Sequence, residues 1–395
     1  MKIYEIATGY TPVPAQTGAA TEIVVEELTK AMLAQEHEVV LVDIKANGRP
    51  PHQLPITEVS VPAMFTKADV QLGLMHKLKR VAYSVCLARK LASMLKKETE
   101  RVVLHFHNQY NLFFFLKLTS KKLREKALIA YTNHSGVWRL PWEQISETIS
   151  KRYFQERECM LRADIVFALN QETIDNAVRH CGAERDRFVL IGNGVNTDIY
   201  SPIAQSEAEA EKNRLGLSGK RVVLQAGSVN ENKGQLRALK MLEPLLRQHD
   251  DLVYAYVGGV VSEEYHQHLQ QYVQENGLAQ QVCYLGVVKP GAELNRLYNA
   301  ADATVCASEY EGFSLVIIEA LAAGTPVLIS SSSPFSVGAG CIPYTPENFP
   351  EVVNENVLNT ERRQVFSLAA RKNAMEAYSW KKISQDYLHH FSKMS

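Results

Sequence analysis

Apolar residues along this chain alternate between two periods. KIYEIAT near the N-terminus is strand-like, and TPVPAQTGAA is a loop punctuated by proline and glycine. Val24, Leu28, Ala31, Met32 and Gln35 then recur at helical spacing before HEVVLVDI returns to a strand. RVVLHFH, ALIAYTNH, DIVFALN and FVLIGNG continue the rhythm with helical stretches between them, which predicts a parallel sheet covered by helices on both faces. After a polar connection rich in Ala, Glu and Lys around residues 203 to 218, the series restarts with RVVLQAGS, LVYAYVGG, QVCYLG, ATVCAS and PVLIS as strands. The pattern predicts an α/β chain of two doubly wound domains. They divide near GNGVNTDIYSP, where Gly192, Gly194 and Pro202 punctuate the chain. The expected domains are residues 1–200 with a returning helix at 377–395, and residues 201–376.

Composition narrows the class. A length of 395 residues suits two domains, and 46% hydrophobic with 22% charged residues is the balance of a soluble globular protein. Lys plus Arg and Asp plus Glu number 43 each, so no overall field favours nucleic acid. Cys86, Cys159, Cys181, Cys283, Cys306 and Cys341 form no CxxC pair, which argues against a disulfide framework or a cysteine zinc site and fits a cytoplasmic protein. MKIYEIATGY runs directly into a strand without a signal-peptide core, and no apolar stretch reaches bilayer-spanning length.

In open parallel sheets, ligands bind beyond the carboxyl ends of the strands, so the residues that follow strands carry the chemistry. In SEYEGFSLVIIEALAAGTPV, the helical run SLVIIEALAA is ended by Gly324. Glu311 falls in the loop before it, and the free N–H groups near Gly312, Phe313, Ser314 and Leu315 attract an anion. Glu319 lies roughly 7 to 8 Å further along the helix axis, about the step from a phosphate to a ribose, whose two hydroxyls a carboxylate can accept. The same spacing also fits a solvated loop acid and a surface helix position. His105 and His107 alternate onto one face of RVVLHFH. An HxH pair can hold zinc, but no other ligand cluster accompanies it in the sequence, so no metal is expected.

These motifs together resemble the retaining glycosyltransferases of family 4, over nearly the whole chain. Glu311 and Glu319 have that family's E-x7-E spacing, followed by its Ala-x-Gly-x-Pro-Val pattern from Ala322 to Val327. The resemblance implies the GT-B fold: two Rossmann-like domains facing across a cleft, with a C-terminal helix crossing back to the first. It implies contacts of the two acids with donor sugar and ribose. Thr17-Gly18-Ala19 is similar to the glycine loop that brings backbone N–H groups to the donor diphosphate, with Thr17 in place of a second glycine. Gly227 to Gly234 is similar to the segment that neutralises the departing diphosphate; Lys233 matches, while Ser228 stands where the family has Arg. His134 resembles the histidine that approaches the donor sugar, and His107 one on the acceptor side. Gly192 to Asn196 resembles the segment at the domain junction, with Asn196 replacing the usual acid.

The activity implied is metal-independent, retaining transfer of a hexose or N-acetylhexosamine from a nucleotide sugar, expected to be UDP-linked. The acceptor would be a glycan, a lipid-linked molecule or a small molecule, as in bacterial polysaccharide or glycoconjugate biosynthesis. His134, Lys233 and Glu311 would be catalytic. Gly18, Ser228, Lys233, Gly312, Phe313, Ser314, Leu315 and Glu319 would hold the donor, and His107, Trp138 and Arg139 would lie on the acceptor side. No cofactor is expected beyond the donor substrate. Trp138 and Trp142 could stack on a sugar ring or pack a core. The basic helical stretch Lys77, Lys79, Arg80, Arg89, Lys90, Lys96 and Lys97 fits either a peripheral contact with the membrane's inner face or a solvated helix. The alternative function is a non-catalytic binding or assembly protein of the same fold, which Thr17 and Ser228 favour.

Overall fold

A computed structural model describes residues 1–14, 20–62, 74–309, 313–331 and 338–394. The strands fall into a seven-stranded and a six-stranded sheet. The first contains β1 (Lys2–Ile6), β2 (Glu38–Ile44), β3 (Ile56–Val59), β4 (Val102–Phe106), β5 (Ala127–Asn133), β6 (Ile165–Ala168) and β7 (Phe188–Leu190). Their order is β3-β2-β1-β4-β5-β6-β7. The second contains β8 (Arg221–Ala226), β9 (Leu252–Val257), β10 (Val282–Tyr284), β11 (Ala303–Cys306), β12 (Val327–Ser330) and β13 (Cys341–Tyr344), in the order β10-β9-β8-β11-β12-β13. All pairings are parallel. Each sheet runs outward from its first strand and then reverses, which is the doubly wound order and places one switch point at β1/β4 and another at β8/β11.

Eleven of these strands coincide with the apolar runs read from the sequence; β3 and β13 do not. Both are four-residue edge strands. An edge strand lacks the continuous apolar signature of a central one, and β13 contains Pro343, a residue that sheets accept at their edges.

Contacts divide the chain into one unit of Met1–Gly194 with Trp380–Ser395, and a second of Val195–Ser379. In the first unit, Ile3, Val103, Leu128, Ile165 and Phe167 face one side of the sheet, where they pack with Val24, Leu28 and Met32 of the helix Ala20–Leu33. Trp380, Ile383, Tyr387, Leu388 and Phe391 of the terminal helix Trp380–Met394 complete that layer. The opposite face, with Tyr4, Ile6, Leu104, Phe106 and Tyr131, is covered by the helices Leu74–Lys97 and Gln109–Leu118. The last helix of the sequence thus belongs to the first unit's core, because its apolar stripe finds its partners there. In the second unit, the faces of β8, β9, β11 and β12 are buried in two further clusters.

The helix Leu315–Ala322 ends as its sequence predicts. Gly324 takes φ +78°, its N–H donates to Leu321 O at 3.0 Å, and the Thr325 N–H donates to Ala320 O at 2.9 Å. This is the Schellman arrangement, which favours glycine because a side chain disfavours the left-handed backbone.

Phe391 is fully buried, with its ring 5.7 Å from Phe167 and 5.5 Å from His105. Replacing it with Ala should lower the stability of the first unit by about 3 to 5 kcal/mol, read from its denaturant transition. An unchanged transition would mean that the terminal helix does not contribute to this core.

Candidate active site

In the second unit, the switch point is built from backbone. Gly227 and Gly258 follow β8 and β9 with φ of +136° and +143°, and a Cβ at Gly258 would stand 2.0 Å from Gly227 O. The close approach requires glycine at 258, and the positive φ favours it at both positions. The aliphatic stem of Lys233 lies over Gly227, its Cδ and Cε 3.6 Å from where a Cβ there would be. The Lys233 N–H donates to Asn230 Oδ1 at 3.0 Å, and Gln225 Nε2 donates to Lys233 O at 2.7 Å. Ser228, at the position where an arginine was expected, serves the loop instead: its Oγ accepts from Asn230 Nδ2 at 3.0 Å and its carbonyl from Gln235 Nε2 at 3.0 Å. The neighbouring strand-end loop is tied to this one, since the Glu309 N–H donates to Asn232 O at 2.8 Å and Arg237 donates to Ala307 O at 2.7 Å. Lys233 and the residues Ala307 to Glu309 after β11 therefore flank one point of the sheet.

That helix opens without a side-chain cap. Ser314 is 4% exposed and, among the described residues, no group partners its Oγ. Phe313 and Leu315 beside it are half-buried. A helix start with free N–H groups and a spare hydroxyl is suited to an anion. Glu319 is half-buried, one turn on from Leu315, and its Oε2 accepts from Tyr298 OH at 3.1 Å. Burial pushes its carboxyl up to about 7, against the opposing hydrogen bonds of Tyr200 and Tyr298. Tyr200 is itself held by the Gly291 N–H at 2.9 Å. Glu319 is therefore an enclosed acid rather than a surface one. Its tyrosine partners, from distant parts of the sequence, were not foreseen. Gly18 with its neighbours Thr17 and Ala19, and Glu311 with Gly312, lie outside the described residues.

The first unit gathers a different set of groups around β1 and β4. Glu5, next to the carboxyl end of β1, is opposite His105 in register. His105 Nδ1 is 3.0 Å from each Glu5 oxygen, and His107 Nε2 is 2.8 Å from Oε2. His107 is the residue after β4, immediately before Asn108, whose side chain caps the helix Gln109–Leu118. His134 follows β5, with its Nε2 3.0 Å from His107 Nδ1 and the two rings stacked. His105 Nε2 meets Thr132 Oγ1 at 2.7 Å, and that hydroxyl meets Tyr387 OH at 3.2 Å.

Burial would raise the Glu5 carboxyl, but His105 and His107 outweigh it and hold it at about 2. Burial, helped by His105, lowers His107 to about 4; burial and the neighbouring imidazoles push His134 well down. Glu5 is thus ionised, and His107 and His134 are neutral, near pH 7. Three ligating atoms from Glu5, His105 and His107 lie within 4.8 Å of one another. The HxH pair does have an acidic companion, contrary to expectation, because pairing of β1 with β4 brings in a residue far away in sequence.

Trp138 does not stack on a ligand. It is fully buried in the first unit's core, and its indole N–H donates to Glu156 Oε2 at 2.6 Å. Burial raises the Glu156 carboxyl to about 7, with Trp138 opposing the shift. Arg139 is half-buried on the short turn of helix beside it, and the ring of Trp142 stacks on His180 at 4.7 Å. The burial that a large indole gains in a core wins over exposure to a sugar.

Comparison with known proteins follows this two-unit plan. A family model described as Glycosyltransferase Family 4 matches residues 21–199, and one described as Glycosyl transferases group 1 matches residues 207–373. Spore coat protein SA of Bacillus subtilis (strain 168) is 24% identical over 414 residues, covering 100% of both chains. Mannosylfructose-phosphate synthase of Agrobacterium fabrum is 28% identical over 217 residues, which are 51% of this chain and 47% of that one. The crystal structure of Anabaena HepE in complex with UDP is similar in fold with a TM-score of 0.75 at 18% identity, covering 100% of both chains, and a complex of the same protein with UDP-glucose has a TM-score of 0.71 at 17% identity, again over 100% of both. With a family model on each half and the GT-B fold shared from end to end, this chain belongs to the family 4, group 1 glycosyltransferases.

Proposed function

We propose that the protein is a retaining hexosyltransferase that takes its sugar from a UDP-linked hexose or N-acetylhexosamine without a metal ion. The observation that carries this reading is the uncapped start of the helix Leu315–Ala322, with Ser314 Oγ buried and unpartnered among the described residues, following a strand end whose Glu309 N–H is tied at 2.8 Å to Asn232 O beside Lys233. Breaking a glycosidic phosphate bond builds negative charge on the leaving diphosphate, and a fixed ammonium with aimed N–H groups lowers that barrier. Lys233 would meet the diphosphate, and Ser314 with the N–H groups of the helix start would bind its oxygens. Glu319 would accept the ribose hydroxyls. Retention would proceed by attack from the leaving-group side, with a phosphate oxygen taking the acceptor proton, so no side-chain nucleophile is assigned.

The UDP and UDP-glucose bound by HepE support uridine as the base. The name of the Agrobacterium relative makes a small-molecule acceptor one of the classes to test. The helix Leu74–Lys97 exposes Lys77, Leu78 and Val81, which supports peripheral contact with a lipid surface that carries an acceptor. Ser228 in place of an arginine favours a second reading, a binding or assembly protein with a weakened diphosphate site.

Calorimetric titration with UDP, GDP, ADP and TDP separates these readings. Selective binding of UDP supports the transferase, and binding of none would favour the second reading. Because burial raises the Glu319 carboxyl to about 7, it is protonated below that pH and has to ionise before both of its oxygens can accept from the ribose hydroxyls. Affinity for UDP should therefore rise about tenfold from pH 6 to pH 8. Glu319→Gln should lose that slope while keeping the one due to the ligand's own phosphate; equal slopes would remove Glu319 from the ribose site. Lys233→Ala should lower the transfer rate about 100-fold or more, as expected for a charge that acts on the leaving group. A loss no larger than that of Lys240→Ala, on the exposed side of the next helix, would leave Lys233 without a catalytic role.

A further inference from the structure

Glu5 is 0% exposed, and the carboxylate has two ring neighbours, His105 and His107. A buried carboxylate can only accept, so each imidazole must turn an N–H toward it: Nδ1–H from His105 and Nε2–H from His107. A neutral imidazole carries one N–H, which leaves a lone pair on His107 Nδ1. The atom that faces it at 3.0 Å is His134 Nε2, which must then be the protonated nitrogen. No other hydrogen bond holds His134 among the described residues. His134 is half-buried beyond the carboxyl end of β5, and no group partners its Nδ1 among the described residues.

We propose that Glu5 is a positioning residue that sets the tautomer of His134 through His107, so that His134 offers a lone pair at Nδ1 to a hydroxyl of the sugar substrate. The last step rests on the transferase reading; the tautomer chain does not. A metal ion in the same cluster would have the opposite result. It would take His107 Nε2, force the proton to Nδ1, and make His134 present Nδ1–H instead. The hydrogen-bonded chain is favoured because the ring nitrogens stand at hydrogen-bond distance from Glu5, 2.8 and 3.0 Å, with each outer nitrogen also partnered. The cluster also offers three ligands where a structural zinc site takes four.

Ring nitrogen-15 spectra of histidine-labelled full-length protein read the tautomers directly, with the signals assigned from their loss in His107→Gln and His134→Gln. The result expected is the Nε2–H form at both residues, in protein carrying no stoichiometric metal by elemental analysis. An Nδ1–H form at His134, an imidazolium at His107 or His134, or one bound metal per chain would overturn the proposal. These spectra need no substrate, so they stand even if the transferase reading fails. Function is tested with Glu5→Leu, which accepts from neither ring. The rate constant kcat should fall about 10- to 100-fold with KM little changed, because a buried sugar hydroxyl loses its acceptor. Thr132→Val, which disturbs only the His105 branch, should reduce stability and spare kcat. If Glu5→Leu folds yet keeps both the His134 tautomer and kcat, Glu5 has only a structural role. If it does not fold, the wild-type spectrum decides alone.

Discussion

A strand buried on both faces has no room for polar side chains along its length unless each finds a partner inside. The sheets of this protein largely follow that constraint, with Thr304 of β11 an exception among the described residues, and it places their chemistry. Their central strands are apolar runs, and the polar groups collect where the strands end or where two strands supply each other's partners. At the β8/β11 end the solution is backbone and one lysine: glycines let two turns touch, and the loops bond to each other. At β1/β4 it is a carboxylate surrounded by imidazoles. The switch point of each doubly wound sheet is thus a place where the fold itself leaves a site open.

Three buried carboxyls illustrate how partners decide charge. Glu5 faces two imidazoles and stays ionised, its carboxyl held at about 2. Glu156 and Glu319 receive neutral donors, an indole N–H and two phenols, and burial wins, lifting both to about 7. The few neutral donors at Glu156 and Glu319 do not repay the desolvation of a carboxylate, whereas the imidazoles at Glu5 do. Glu319 is therefore poised to change charge when a polar ligand reaches it, and Glu5 is fixed.

The fold was legible because buried parallel strands read as unbroken apolar runs with helical spacing between them. Edge strands β3 and β13 escaped, being short and half-solvated, with a proline in one. In the candidate site, Ser314 and Glu319 were legible from their positions at and along a helix that follows a strand, and Lys233 from the family resemblance. Their partners were not: Tyr200 and Tyr298 meet Glu319, and Glu309 meets Asn232, through tertiary packing that no local spacing encodes. Trp138 was left open between a sugar contact and the core, because an aromatic residue in a loop looks the same whether it turns inward or outward, and the structure buries it. Glu5 left one signal that went unused, an acid amid the apolar residues of a first strand, on the face that the HxH strand also presents.

The central claim is that a nucleotide diphosphate binds at the β8/β11 switch of the second unit. A crystal structure of the protein soaked with UDP tests it most directly. The diphosphate is expected between Lys233 and the start of the helix Leu315–Ala322, with the ribose hydroxyls on Glu319. UDP bound elsewhere, or a site left empty at saturating UDP, would contradict it.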